Sequence, residues 1–142
     1  MITNHSRLSA ISTCLLLAFT GHAGAQTTSG VHLELNKAEQ IDGACRMYLV
    51  IENRTSSTFR NLQLDLVGFD PDGIIAQRIL LETAPLPAHK TRLKVFDMGS
   101  ECQAVGRILI NEVLLCETGD DKTPDCGGML SASSRTAIEL VP

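Results

Sequence analysis

The sequence predicts an all-β protein, a sandwich of seven or eight short strands held by disulfides. Three observations carry that expectation. Apolar and polar residues alternate with period two in one segment after another. Turn-forming residues separate those segments at short intervals. Four cysteines follow an apolar leader, an even set in what reads as an oxidising compartment. The scarcity of aromatics, four Phe, one Tyr and no Trp, favours a sandwich over a barrel. The 142 residues suit one domain and leave no room for two.

Residues 1–25 are expected to be a signal peptide. A polar opening carries Arg7, and an acid-free, mostly apolar stretch runs from Leu8 to Phe19. The small residues Ala23-Gly24-Ala25 precede Gln26, so a cut is expected after Ala25. The apolar run falls short of the about 20 residues a permanent anchor needs. Cys14 is followed by Leu15, Leu16, Leu17 and Phe19, which argues against lipid attachment there, and no arginine pair marks a twin-arginine route. Residues 26–142 then form a single domain with 11 basic and 16 acidic residues. The expectation is a periplasmic or secreted protein without a permanent membrane anchor. Its acidity argues against nucleic acid as a partner.

The elements follow in order. Val31-His32-Leu33-Glu34-Leu35 alternates strictly and predicts a strand with one wet face, a candidate interaction edge. Residues 39–43 read as a turn, and Cys45, Met47, Leu49 and Ile51 alternate through a second strand. A polar turn at Asn53–Ser57 leads to a third, where Leu62, Leu64 and Leu66 share a face. That strand runs into Asp70-Pro71-Asp72-Gly73, a structural turn in which Pro presets φ and Gly accepts positive φ. Ile74 to Leu81 is the fourth strand. Ala84–Ala88, with two prolines, is a connector, and Thr91 to Asp97 is the fifth strand. Arg107 to Cys116 is apolar and β-branched enough for a strand, although RILINEVLL also fits a helix; its length and the strands around it favour β. Met129 to Ser134 reads as a polar loop, and Thr136 to Val141 as the last strand.

Cys45, Cys102, Cys116 and Cys126 allow three disulfide connectivities. The favoured one joins Cys45 to Cys102 and Cys116 to Cys126, the second pair closing a short hydrophilic loop. No C-x-x-C occurs, and neither His32 nor His89 stands at zinc-ligand spacing from a cysteine. No metal ligand set and no cofactor are expected.

The order from Met47 to Phe96 resembles small immunoglobulin-like extracellular modules of the FxLYD and CARDB type. It runs strand, ENRTSSTFRNLQLDLVGFDPDG, strand, PLPAHKTRLKVF. The mature chain as a whole is similar to a group of uncharacterised exported proteobacterial proteins. The shared pattern is Gly43-Ala44-Cys45, the Asp70–Gly73 turn, Cys102, Gly106 to Asn111, Cys116 and Cys126. The resemblance implies an antiparallel immunoglobulin-like sandwich and an exported protein, and it supplies no catalytic residue.

Chemistry is sparse. There is no G-x-S-x-G elbow, and His32 and His89 read as exposed. Asp70 and Asp72 lack the further ligand positions of a calcium loop. Glu117, Asp120, Asp121 and Asp125 crowd one loop and offer at most weak cation binding. Arg92 and Lys94 share a strand face. Met47, Met98 and Met129 lack the clustering that copper transfer needs. The expected function is a non-enzymatic, envelope-associated interaction module whose partner is an unidentified envelope protein. The alternative is a periplasmic carrier of a small ligand or divalent metal.

Overall fold

The computed structural model describes Met1, residues 29–119 and residues 125–142. Apart from Met1, the expected signal peptide therefore lies outside the described residues, as do Asp120 and Asp121 of the acidic loop. Among the described residues eight strands form in chain order: β1 (Val31–Ile41), β2 (Ala44–Asn53), β3 (Phe59–Phe69), β4 (Ile75–Glu82), β5 (Thr91–Met98), β6 (Arg107–Thr118), β7 (Leu130–Ser134) and β8 (Glu139–Val141). A 3-10 turn spans Cys102–Ala104. The strands make two four-stranded sheets, ordered β5-β2-β1-β7 and β4-β3-β6-β8.

Period-two alternation determines which side chains meet between the sheets. Leu33, Leu35, Met47, Leu49 and Ile51 from the first sheet join Leu62, Leu64, Leu66, Ile108 and Ile110 from the second in one core. Phe59 and Leu86 seal one end of it. The Phe59 amide donates to the Leu86 carbonyl at 3.0 Å, and the Leu86 amide donates back at 3.0 Å. The connector between β4 and β5 contains a cis peptide bond at Ala84-Pro85. Asn53 is buried beside it. Its amide donates to the carbonyls of Ser57, Leu86 and Pro87, and its oxygen accepts from the Thr55 amide and hydroxyl. A buried amide is tolerable only when its groups are bonded in this way.

Both expected disulfides are present, Cys45–Cys102 and Cys116–Cys126. Their sequence separations are 57 and 10. On a chain-entropy model these loops correspond to about 4 and about 3 kcal/mol of stabilisation.

The sandwich matches the expected architecture, but the sheets are mixed, whereas the sequence suggested antiparallel pairing alone. β7 runs parallel to β1, and β8 parallel to β6. The reason lies in where the chain enters each sheet. After β6 the chain lies at Gly119 beside Thr58, and Met129 lies beside Val31, so β7 begins at the end where β1 begins. After β7 the chain crosses to the other sheet, and the Glu139 amide reaches the Gly106 carbonyl beside the start of β6. The strand at Leu130–Ser134 replaces the expected loop. Its residues are small, and it gains its place by pairing with β1. The turn expected at residues 39–43 contracts to Asp42-Gly43, both at positive φ, with β1 running on to Ile41.

Candidate functional site

The expected interaction edge, Val31 to Leu35, is an interior segment and the expectation is corrected here. Val31, His32, Leu33, Glu34 and Leu35 pair with β2 on one side and β7 on the other, so their backbone groups are spent. Val31, Leu33 and Leu35 point into the core. His32 and Glu34 point outward. His32 Nδ1 lies 2.9 Å from Ser131 Oγ, and Nε2 lies 3.0 Å from Ser133 Oγ. Hydroxyls thus engage both ring nitrogens. A serine nucleophile would need a carboxylate orienting the ring from one side, so the cluster reads as a clasp between β1 and β7.

The rest of that outer face is polar and internally paired. Arg46 binds Asp97 through Nε and Nη2 at 2.8 and 2.9 Å. Glu34 meets Arg135 at 2.8 Å, and Glu39 accepts from the Tyr48 hydroxyl at 2.7 Å. The guanidinium of Arg135 holds the Glu34 carboxyl below its ordinary range, and the Tyr48 hydroxyl does the same for Glu39. A face so satisfied has little to offer a partner. The exceptions are Leu93 and Val95, exposed on β5.

The outer face of the β4-β3-β6-β8 sheet differs. The register sets Ile75, Phe69, Arg107 and Glu139 in one row. The next row is Arg78, Val67, Leu109 and Val141, followed by Leu80, Asp65 and Glu112, then by Glu82, Gln63 and Leu115. Arg107 lies over the Phe69 ring, 4.6 Å from its centroid. Ile75, Leu80 and Leu115 are exposed at 67%, 57% and 45%, while Val67 is buried and Phe69, Leu109 and Val141 are half-buried.

Asp65 is the anchor of the face. It points away from the core yet has no exposed surface. Arg78 covers it, with Nε 2.6 Å from Oδ1 and Nη2 2.9 Å from Oδ2. Asn111 donates to Oδ2 at 2.7 Å. Asn111 is the extra residue of a bulge, since Leu66 pairs with Ile110 and Asp65 with Glu112. Leu114 is the extra residue of a second bulge and is left exposed. The alternation of apolar residues gives no sign of either bulge.

The sheet edges are unequal. β7 and β8 are only five and three residues long. β5 turns Arg92 and Lys94 toward the inner side of its sheet, in register with the buried Ile51 and Leu49, a charge placement that discourages strand addition. β4 has no such protection. Its inner residues are Gln77, Ile79 and Leu81, and its one cation, Arg78, is bound to Asp65.

The remaining expected residues are structural. Asp70 Oδ1 accepts the amides of Asp72 and Ile74 at 3.0 and 2.8 Å, the Gly73 amide donates to the Asp70 carbonyl at 3.0 Å, and Gly73 has φ of +81°. Pro71 stands exposed at the second position of that turn. An open cleft of about 420 Å³ lies among Ser29, Glu52, Asn53, Arg54, His89 and Thr91. Its charges are already joined, Arg54 to Glu52 at 2.7 Å. Among the described residues no three His, Cys, Asp or Glu side chains gather as a metal site. No helix among them is long and apolar enough to cross a membrane. No protein-family model, curated protein or solved structure matches the chain.

Proposed function

We propose that the protein is an exported, non-enzymatic module that acts by contact with another envelope protein through the outer face of the β4-β3-β6-β8 sheet. One observation carries this reading: Ile75, Leu80 and Leu115 stand exposed on a single sheet face, beside an edge strand with no charge on its inner side. Three large apolar side chains left in water on one face give a partner apolar area to bury. The buried Asp65–Arg78–Asn111 cluster supports it by stiffening the centre of that face. Export is supported by the leader-like residues 1–25, ending in Ala23-Gly24-Ala25, and by two disulfides, which persist in oxidising compartments.

The test is a photocrosslinking side chain placed at Leu115 and, as a control on the polar outer face, at Lys37. Irradiation of intact producing cells is expected to yield a discrete adduct with a different protein from position 115 and none from position 37. Equal labelling from both positions, or none from position 115, overturns the reading.

A further inference from the structure

The unprotected β4 edge carries a residue pattern complementary to itself. The Thr83 amide donates to the Leu62 carbonyl at 2.9 Å, and the β3–β4 register runs unshifted from Gln63–Glu82 to Gly68–Gln77. In an antiparallel pair, alternate residues turn both backbone groups toward the neighbouring strand. Thr83, Leu81 and Ile79 therefore face β3. Glu82, Leu80 and Arg78 turn their N–H and C=O groups outward along the open edge; Leu80 and Arg78 are exposed on the outer face, and the exposed Glu82 uses Oε1 to accept the Leu62 and Ala84 amides at 3.4 and 3.1 Å.

Two such edges can pair about a two-fold axis perpendicular to the sheet. An axis through Leu80 sets Leu80 against Leu80 of the partner subunit. It also sets Arg78 against Glu82 of the partner subunit, and symmetry makes that contact twice. An axis through Arg78 would place two guanidinium groups face to face, which like charge disfavours. Arg78 is already oriented by its two bonds to Asp65, so less side-chain freedom is lost on pairing.

We infer that the β4 edge is a self-association site: two copies join Arg78–Glu82 antiparallel about Leu80, merging two four-stranded sheets into one of eight strands. The inference rests on the reading of this face as a contact surface, and it names a second copy as the occupant of its edge. The outer face then becomes one continuous two-fold surface with Leu115 of each copy set back from the axis.

Sedimentation equilibrium of the purified, disulfide-bonded protein tests it, with Leu80→Lys and Leu80→Glu as variants. Leu80 is 57% exposed, so both variants should fold, and a thermal melt checks this. The unsubstituted protein is expected to show a concentration-dependent monomer–dimer equilibrium. Each variant alone should weaken the dimer by about tenfold or more, because like charges meet on the axis. An equimolar mixture of the two should restore a heterodimer. A protein monomeric at every concentration overturns the inference. So does a Leu80→Lys dimer as tight as the original, or a Leu80→Glu variant that tightens alone, since that places position 80 opposite Arg78. A monomer whose position 115 still captures a different protein removes the self-pairing and leaves the proposed function intact. A dimer whose position 115 captures nothing keeps the pairing and removes the proposed function.

Discussion

Asp65 shows how much one side chain decides. It lies in an alternating segment, Asn61 to Leu66, in which period two assigns it to the wet face. The outward direction was legible, but its loss of all contact with water was not. Burial came from Arg78 on the next strand and from a bulge that aims Asn111 at it. The guanidinium of Arg78 and then the amide of Asn111 hold the Asp65 carboxyl below its ordinary range, against an upward push from burial. A carboxyl lowered by folding takes up its proton first in the unfolded chain. Its stabilisation is therefore complete above the ordinary aspartate value of about 4 and is lost as pH falls through the lowered one. Glu34, Glu39, Glu52 and Asp97 shift in the same direction. Thermal melts across acidic pH should thus show falling stability below about pH 4. Asp65→Asn should be less stable at neutral pH and should lose less than the original on acidification. A variant with the same acid dependence would show that Asp65 takes no part.

At the scale of elements, strands were readable wherever one face is apolar. β2, β3 and β5 fall where alternation places them, within a few residues at their ends. β7 was not readable, because Leu130-Ser131-Ala132-Ser133-Ser134 has no strong apolar face of its own. It is a strand because β1 supplies backbone partners and His32 accommodates its two outward serines. Turn chemistry transferred well at Asp70–Gly73, where Gly73 needs its positive φ. Gly106 is present for another reason. A Cβ there would stand 2.8 Å from the Asp70 carbonyl oxygen and 2.9 Å from Pro71 Cα, both backbone atoms. At Gly68 the nearest obstacle is the Met98 methyl, the far end of a flexible side chain. Gly106→Ala should therefore cost roughly 1–3 kcal/mol by overpacking. Gly68→Ala should cost less, and chemical denaturation of the two variants gives the comparison. The reverse order would mean that the turn yields more easily than Met98.

At the scale of the whole molecule, the last strands tie the two sheets together. β7 joins one sheet, and β8, five residues later, joins the other. Ile138 and Leu140 enter the shared core from this short crossing. Ser134 Oγ donates to the Ile138 carbonyl at 2.6 Å and closes the bend between them. A chain ending after Arg135 loses both apolar side chains and should be destabilised by roughly 3–6 kcal/mol. Denaturant unfolding of the truncated, disulfide-bonded protein measures this, and an unchanged midpoint would show that the crossing is not part of the folded core. The same tie explains the mixed sheets. Each late strand starts at the end of the sandwich where its neighbour starts, so it must run parallel to that neighbour.

By itself the sequence determined the strand-rich class, the inward and outward sets of most strands, the Asp70–Gly73 turn and a cysteine set for which one pairing was favoured. These are local properties, carried by period-two patterning, backbone preferences and loop length. Only the tertiary structure decided which strands are edges. It moved Val31–Leu35 to the interior and left β4 open, because edge or centre depends on which distant segment supplies hydrogen bonds. It also decided that the charged outward residues of one sheet pair with one another, Leu93 and Val95 apart, while the other sheet leaves Ile75, Leu80 and Leu115 in water. Local patterning reports that a side chain points away from its own strand's buried face. What then covers that side chain is settled by neighbours far along the chain.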